Sequence, residues 1–570
     1  MPSLLQRLKE RKLFQWGLAY LAGAWLIFQG IEVLAEPWNL SEAVQRTIHV
    51  LLGVGFFVML ILAWYHGEKG RQRASGVELL ILAGILVIAG AAVALLGRGS
   101  QGEVAGGLPE DSPVVVSEKS VAVLPFVNIG GDPENEYFSD GITGDIINHL
   151  AKIADLKVIS RTSVMQYKES EKNLRQIGRE LGVAAIVEGE VQQTGDQVRI
   201  NAQLIDAETD EHLWAEQYNR ALTDVFAIQS DVAQQITAAL RATLTRAEAS
   251  RINERPTDNL EAYDNYLRGR RFWNQRSLAA FDSAISYFNQ AIFLDPDFAR
   301  AYAGLAESYV LLPEYGGPSI PEILPFAKAA TERARALDPE LVEAYTASGY
   351  IKEVFEWDRE GAERDFLKAI ELNPDYATAH LWYAELLGVT RRWDEALAEA
   401  RTAVELDPLS PAPNLILGLL LAFSGRPDDA IAAFERTLEI VPEWGLTYGG
   451  LAKAYVLIGD YAAAAPLFDR LAEVTGSDPE AYRAYLAALS DPAKIPAAVT
   501  ALQATNVYSD VGGNEYLAHL GQFDEALAVL EQAYDERHPY LPWVNVDPMF
   551  DGLRSDPRFQ DLLRRMNFPE

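Results

Sequence analysis

Three patterns of apolar residues follow one another along the chain. Within the first hundred residues the apolar positions form long, almost unbroken runs. Further on, short apolar stretches alternate with turn residues, and from residue 257 small and large apolar residues recur at helical spacing. These patterns predict three transmembrane helices, then a small α/β domain with a mixed sheet, then an all-α repeat superhelix. The expected protein is therefore multidomain.

The predicted transmembrane helices lie in a membrane anchor formed by residues 1–97, at 13–34, 47–65 and 77–96. Each run is close to the roughly 20 residues that cross a bilayer. Basic residues precede the first run and lie between the second and third, and such residues mark the cytoplasmic side. The amino terminus is therefore expected in the cytoplasm and everything after about residue 97 in the periplasm. This predicts an inner-membrane protein that contacts the lipid bilayer through three spans.

A flexible linker is predicted at residues 98–118, which are rich in glycine, proline, serine and acidic residues. The α/β domain that follows covers residues 119–250. Alternating apolar residues and a central turn predict a β-hairpin across residues 184–206. A helix is predicted over residues 142–153, with Asp140 as its N-cap.

The α/β domain carries motifs that resemble a known family. The motifs are SVAVLPFVNIGGDPENEYFSDGIT, IGRELGVAAIVEGEV and VRINAQLIDAETDEHLWAEQYNR. Within residues 118–244 the chain resembles the domain related to the amino-terminal part of TolB and to flagellar FlgO proteins. In related proteins this domain stands between a membrane anchor and tetratricopeptide repeats, and some carry a winged-helix regulator or a class III cyclase at their cytoplasmic end. The resemblance implies an anchored repeat protein that carries neither the winged-helix regulator nor the cyclase.

The helical part has an internal period. Prolines recur at intervals of 43, 35, 34, 34 and 37 residues, and 34 residues is the period of the tetratricopeptide repeat. About six repeats are predicted within a solenoid over residues 257–570, closed by a C-terminal cap at 547–566. The excess length before Pro339 is assigned to a loop insertion at residues 313–325.

The repeat pattern assigns packing roles to particular residues. Small residues let two helices approach closely, a large residue fills the groove between them, and proline ends the second helix. The predicted repeat-packing residues are Ala284, Phe288, Ala291, Pro296, Ala362, Phe366, Ala369, Pro374, Ala396, Ala403, Pro408, Leu417, Gly418, Ala430, Phe434 and Pro442.

Stacked repeats form a concave surface that typically binds an extended peptide or a partner helix. Large aromatic side chains on that surface would anchor a protein partner, although the same side chains also suit packing between helices. The candidate partner anchors are Trp273, Trp357, Trp382, Trp393 and Trp444.

Charge and cysteine content exclude several classes of function. The chain has 49 Lys and Arg against 81 Asp and Glu, a formal net charge of -32. This acidity argues against nucleic-acid binding and favours basic or neutral partners. The chain has no cysteine, so disulfides, thiol catalysis and iron–sulfur ligation are excluded.

Catalytic motifs are missing from the sequence. Asp132, Asp140 and Asp145 would suit a metal or phosphate-transfer site, but a turn, an N-cap and a first-turn acid explain them more simply. His149 and His212 are isolated. No P-loop, HExxH or GxSxG motif occurs. We therefore predict no catalytic residue, no cofactor and no metal, and a protein that is not an enzyme.

The leading hypothesis is a periplasmic scaffold or signalling protein, anchored in the inner membrane, that binds protein or peptide partners through its repeats. A homo-oligomer packed through the spans at Ala19 and Gly23 is an additional expectation. The first alternative is a sensor whose α/β domain binds a small ligand. The second alternative is an enzyme related to the cyclase-linked proteins.

Overall fold

The computed structural model describes residues 117–130, 135–504 and 511–568, all within one compact unit, Leu108–Glu570. The predicted spans, most of the predicted linker, and the pair Ala19 and Gly23 lie outside the described residues.

Within these ranges no helix combines the length and the apolar character needed to cross a bilayer. The longest helix there, Ile320–Leu337, has 18 residues and includes two glutamates, a lysine and two arginines. This finding corrects the expected fold class, in which three transmembrane helices formed the first part. It also overturns the expected inner-membrane and periplasmic location. The corrected fold class is an α/β region with a mixed sheet followed by an all-α superhelix.

The α/β region is built on one mixed sheet, as the alternation of apolar residues predicts. The strand order is β3-β1-β4-β5-β6, with β2 paired to β4. Strand β1 runs parallel to β3 and β4, whereas β4, β5 and β6 are antiparallel. The elements are β1 (Ser120–Val123), β2 (Val127–Asn128), α1 (Glu136–Leu150), β3 (Lys157–Val158), α2 (Arg161–Met165), α3 (Leu174–Leu181), β4 (Ala185–Thr194), β5 (Gln197–Asp206), β6 (His212–Ala221), α4 (Val225–Ala239) and α5 (Arg246–Ile252).

Helix α1 begins earlier than the sequence predicts. Its N-cap is Asn135, so Asp140 lies inside the helix and the prediction of Asp140 as N-cap is wrong. The apolar residues near the start of α1, Tyr137 and Phe138, are buried in the core, and this burial holds the first turns in helical form.

The all-α part consists of eight antiparallel helix pairs within the described residues, two more than the period in the sequence indicates. The pairs are α6 (Leu260–Trp273) with α7 (Leu278–Leu294), α8 (Ala299–Leu311) with α9 (Ile320–Leu337), α10 (Val342–Tyr350) with α11 (Arg359–Leu372), α12 (Ala377–Val389) with α13 (Trp393–Leu406), α14 (Pro411–Phe423) with α15 (Pro427–Ile440), α16 (Gly445–Leu457) with α17 (Tyr461–Thr475), α18 (Pro479–Ser490) with α19 (Ile495–Gln503), and α20 (Val511–His519) with α21 (Phe523–Glu536).

Irregular turns interrupt this regular stacking. The predicted loop insertion at residues 313–325 is partly helical, because α9 begins at Ile320 and contains Pro325. Helix α10 continues into a π-helical turn, Ile351–Glu356. After α21 the chain forms two 3₁₀ turns, Leu541–Asn545 and Pro548–Leu553, and a last helix, α22 (Pro557–Arg565).

Close contact between phenylalanine and glycine sets the distance between the helices of the pairs. A Cβ atom placed on Gly418 of α14 would lie 2.5 Å from the Phe434 ring of α15. The same ring lies 2.8 Å from a Cβ placed on Gly450 of α16, in the next pair. Phe288 meets Gly269 and Gly304 in the same way. One aromatic ring thus fixes the approach of three helices.

Two adjacent glycines in α16 provide a test of this packing. Gly450→Ala should destabilise the protein by about 1 to 3 kcal/mol, since the methyl group overlaps the Phe434 ring. Gly449→Ala should stabilise it by about 0.5 to 1 kcal/mol, since the nearest atom to its new Cβ is 3.7 Å away and alanine favours the helix. Thermal unfolding of both variants checks this, and equal shifts would contradict it.

Candidate functional site

The first helices of successive pairs contact one another, which places them on the inner face of the superhelix, and the residues that follow α21 return to these helices. Asn545 donates from Nδ2 to the carbonyl oxygen of Val389 in α12 at 2.8 Å, and Arg391 donates to the carbonyl oxygen of Asn545 at 2.7 Å. The Trp543 ring packs edge-on against Phe423 of α14 at 5.8 Å between centroids. We name residues 537–547 the C-terminal segment.

A buried charge cluster holds the C-terminal segment in place. Lys453 Nζ of α16 lies 2.5 Å from Glu515 Oε2 and 2.9 Å from Asp547 Oδ2, and all three side chains are at least nine-tenths buried. Burial alone would lower the pKa of Lys453, but the facing carboxylates of Asp547 and Glu515 outweigh it and raise that pKa. Burial raises the pKa of Glu515. The ammonium group of Lys453 therefore stays charged between the carboxyl groups of Glu515 and Asp547.

Trp357 also holds the C-terminal segment in place, through a contact with Arg537. Its backbone has φ +59°, a left-handed conformation that bulky residues rarely adopt. The Arg537 guanidinium lies 4.4 Å from the centre of the Trp357 ring, and the Tyr534 ring lies 5.0 Å away. Asn567 Nδ2 donates to the carbonyl oxygen of Trp357 at 3.3 Å. These contacts offset the cost of the strained backbone.

Removing the lysine should release the C-terminal segment. Lys453→Ala leaves the buried carboxyl groups of Asp547 and Glu515 without a cation, and breaking a buried ion pair costs about 3 to 5 kcal/mol. Amide hydrogen exchange over residues 541–553 should therefore become about 100-fold faster or more. Lys494→Ala removes the same charge from an exposed position and serves as the control. Unchanged protection in Lys453→Ala would contradict the assigned role.

An acidic cavity opens where the C-terminal segment meets the first helices of the second, third and fourth pairs. Its volume is about 310 Å³, including the open mouth. Tyr350 Oη donates a hydrogen bond to Glu314 Oε1 at the cavity wall. The lining residues are Glu314, Tyr350, Glu353, Val354, Glu385, Val389, Pro539, Tyr540, Pro542 and Trp543.

The three carboxyl groups of this cavity are held away from water and close to one another. Burial raises the pKa of Glu353 to about 8, and the charge of Arg359 acts in the opposite direction. Burial also raises the pKa of Glu385, and the negative charges of Glu353 and Glu314 raise it further. Burial raises the pKa of Glu314, against the hydrogen bond from Tyr350. The cavity therefore resists the accumulation of negative charge.

Glu353 should make the stability of the protein depend on pH. Its folded pKa of about 8 exceeds the ordinary value of 4.5, so the folded state holds a proton that the unfolded state releases between these values. Stability is thus lost as pH rises from about 4.5 to 8. Glu353→Gln cannot titrate, so its advantage over the parent should grow by about 1 to 3 kcal/mol from pH 5.5 to 8.5.

Thermal unfolding at the two pH values measures this difference. Glu371→Gln, an exposed glutamate of α11 in the same helix pair, should show no pH-dependent gain. An advantage of Glu353→Gln that is the same at both pH values would contradict the assignment.

The α/β region packs against the repeats through a second set of buried polar contacts. Asp145 of α1 accepts hydrogen bonds from Tyr263 and Gln229 and pairs with Arg300 Nη1 at 3.2 Å. Ser163 Oγ of α2 donates to Asp407 Oδ1 at 2.6 Å. These contacts involve helix α6, helix α8 and the loop between the fourth and fifth pairs, so the α/β region and the repeats form one body.

The aspartates that suggested a metal or phosphate site do not form one cluster, because the two that the structure describes pair with different cations. Asp140 Oδ1 lies 2.5 Å from Lys168 Nζ, and Asp145 pairs with Arg300; Asp132 lies outside the described residues. His149 is buried and donates from Nδ1 to the carbonyl oxygen of Asp145. Burial lowers the pKa of His149 to about 3, so its ring is neutral. His212 is exposed at the start of β6.

The predicted packing residues lie mostly between the helices. Ala284, Phe288 and Ala291 of α7 are fully buried, as are their counterparts in α11 and the alanines of α13. Leu417 and Gly418 lie on the buried side of α14, and Ala430 and Phe434 are fully buried in α15. The four prolines lie in the loops that follow the second helix of a pair.

The five candidate anchors do not form one surface. Trp273, Trp357 and Trp382 are more than nine-tenths buried, while Trp393 and Trp444 are partly buried against the core. Trp273 lies between the guanidinium groups of Arg270 and Arg276, and Trp382 packs on Tyr350 at 4.6 Å. Trp273, Trp357 and Trp382 thus stabilise the fold from inside. One of these three, Trp357, contacts Arg537 of the C-terminal segment.

The acidic cavity was not predicted from the sequence. Its glutamates come from the loop after α8, the π-helical turn after α10, and α12, at unequal spacing. The one visible signal was the excess length before Pro339, which marks the irregular second pair.

Comparison with known families identifies both parts of the described chain. A family model described as HilA/YgeH-like transcriptional regulator, second domain, matches residues 117–238. Tetratricopeptide-repeat models match residues 358–411, 389–444 and 422–489. The prediction of tetratricopeptide repeats is therefore confirmed. The α/β region contains a HilA-like domain, and its resemblance to TolB and FlgO stays a prediction.

Individual relatives share only parts of the chain. "Putative adenylate cyclase 3" of Rhizobium meliloti (strain 1021) is 43% identical over 197 residues, which are 35% of this chain and 34% of that protein. The chain thus spans about a third of the length of this curated relative.

Solved structures of repeat proteins are similar to part of the chain. The thermophilic TPR protein TTC0263 of Thermus thermophilus is 21% identical, with a TM-score of 0.30, and covers 34% of this chain and 99% of its own. YrrB, "a TPR protein with an unusual peptide-binding site", is 21% identical, with a TM-score of 0.25, and covers 33% and 91%.

Proposed function

We propose that this protein is a scaffold that binds a protein partner on the inner face of its tetratricopeptide-repeat superhelix. The observation that carries the proposal is the open cavity on that face, which the C-terminal segment borders without filling. Tyr540 stands at this cavity with 38% of its surface exposed. An exposed aromatic ring beside a cavity is typical of a protein-binding surface.

The protein acts by binding rather than by catalysis. The charged groups of the α/β region that could have taken part in catalysis are engaged in structural pairs, Asp140 with Lys168 and Asp145 with Arg300. The second of these pairs joins the HilA-like domain to the repeats, so the domain and the proposed binding surface belong to one compact unit.

A role in signalling is part of this proposal. Its support comes from the domains: the α/β region matches a domain of transcriptional regulators, and a partial relative is named a putative adenylate cyclase. Both names concern regulation. A scaffold that joins a regulatory domain to a partner-binding superhelix accounts for this combination.

Site-specific photocrosslinking in cells tests the binding surface. A photoreactive phenylalanine analogue at Tyr540 should crosslink the full chain to a discrete protein. The same residue at Phe293, 85% exposed on the second helix of the first pair, is the control and should give no such adduct. Equal adducts from both positions, or none from Tyr540, would overturn the proposal.

A further inference from the structure

Several buried acids of the described chain are paired with a cation, and the acids of the cavity are not. Glu307 pairs with Arg270, Asp145 with Arg300, and Asp547 with Lys453. Glu353 is 3% exposed, its Oε2 atom has no hydrogen-bond partner, and no cation of the described residues lies within ion-pair distance of it. A buried carboxyl group that the chain leaves without a partner is costly, and such a group lining a cavity is suited to pairing with a bound cation.

Two further carboxyl groups converge on the same cavity without a cation. Glu314 and Glu385 line it with Glu353, and neither forms an ion pair within the part of the chain that the structure describes. The nearest buried cation is Arg359, whose charge acts on Glu353 from beyond ion-pair distance. Its Nη1 donates to the carbonyl oxygen of Met566 at 2.5 Å and its guanidinium lies on the Phe568 ring at 3.5 Å, while Nε and Nη2 have no hydrogen-bond partner in the described residues. Glu353 itself sits on a π-helical turn, an irregularity often found at functional sites.

We infer that this cavity binds the basic side chain, lysine or arginine, of a protein partner held on the inner face. The inference rests on the proposed function and names the chemistry that the partner presents. The carboxyl groups of Glu353 and Glu385 would accept hydrogen bonds from the charged head. Tyr540 and Trp543 line the same cavity, where aromatic rings would attract this charge, and Val354 would contact the aliphatic stem.

The size and composition of the cavity favour this occupant. The enclosed space is only about 20 Å³, which is room for one group of the size of a water molecule or an ammonium head and not for a whole metabolite. In the described residues no group of three or more histidine, cysteine, aspartate or glutamate side chains is arranged to hold a metal ion. The net charge of -32 also steers basic partners toward the protein.

Peptide selection on the full chain tests the inference. A random displayed peptide library is selected against the immobilised protein, and the best peptides are synthesised with a photocrosslinker to map where they bind. Peptides that crosslink to the cavity lining should be enriched in lysine or arginine at one position. Replacing that residue by glutamine should weaken binding about 10- to 100-fold.

Variants of the protein complete the comparison. Glu353→Gln combined with Glu385→Gln should weaken the selected peptide by a similar factor without lowering the melting temperature, because the change removes charge and not volume. Glu371→Gln, an exposed glutamate of the same helix pair as Glu353, is the matched control and should bind as the parent does.

Proton linkage gives a readout that a purely structural role would not change. Because Glu353 holds a proton near neutral pH, a bound cation must displace it, and affinity should rise about tenfold or more from pH 6.0 to 8.5. Glu353→Gln combined with Glu385→Gln should abolish most of this dependence, whereas His538→Gln should keep it. The charged and titratable groups around the cavity are Arg276, Glu314, Tyr350, Arg359, Glu385, His538 and Tyr540.

The outcomes separate this inference from the proposed function. If no peptide crosslinks to the inner face, both are overturned. If peptides bind there without a basic residue, or if the double variant binds them as tightly as the parent, the inference alone fails. If spermidine binds on its own with the same dependence on Glu353, the cavity belongs to free polyamines, which also overturns the inference.

Discussion

Close packing between an aromatic ring and glycine backbones controls the geometry of the superhelix. Phe434 fills the space that Gly418 and Gly450 leave open, and Phe288 does the same for Gly269 and Gly304. A larger residue at any of these glycines would push the helices apart. The helix spacing determines how the array curves, and the curvature brings the end of the chain back to helices some 90 to 180 residues earlier, as the contacts Lys453–Asp547 and Arg537–Phe355 show.

The C-terminal segment covers part of the inner face and so reduces the surface that is open to a partner. A tetratricopeptide-repeat array ordinarily presents an open groove. Here the C-terminal segment covers α12, α14 and α16, and the α/β region packs on α6 and α8. The surface left uncovered is therefore restricted to α10 and the side of α12 that lines the cavity, where Glu353 and Glu385 lie. The contact between Arg537 and Trp357 holds the C-terminal segment against the repeats. The cavity is therefore formed jointly by the repeats and this segment.

The architecture of the described chain could be predicted from sequence because it depends on short-range patterns. The mixed sheet follows from alternating apolar residues, and the hairpin turn at Gly195 adopts the positive φ that a tight turn requires. The repeats follow from the spacing of alanine, phenylalanine and proline. The start of α1 was misplaced because tertiary burial of Tyr137 and Phe138 extends the helix beyond Asp140. The membrane spans were inferred from apolar length alone, and no described helix has that character.

The candidate site could not be predicted in the same way, because it depends on contacts distant in sequence. Tryptophans were natural candidates for partner anchors, yet three of the five are buried, and only the fold reveals this. The glutamates of the cavity lie at unequal intervals, since a π-helical turn shifts Glu353 out of the repeat register. Nothing in a count of acidic residues distinguishes these from the paired ones.

Glu353 differs from the other buried acids in having no cation or hydrogen-bond partner for its Oε2 atom within the described residues. In this fold a buried acid is typically matched by a cation or by hydrogen bonds: Asp365 lies 2.5 Å from Lys352, and Asp407 accepts from Ser163. Native sequences usually satisfy such groups because each unpaired one costs free energy. The exception at Glu353 coincides with a cavity, an irregular helical turn and two further acids. Places where several local physical rules fail together are often functional sites, so this cavity is where the proposed binding function is best tested.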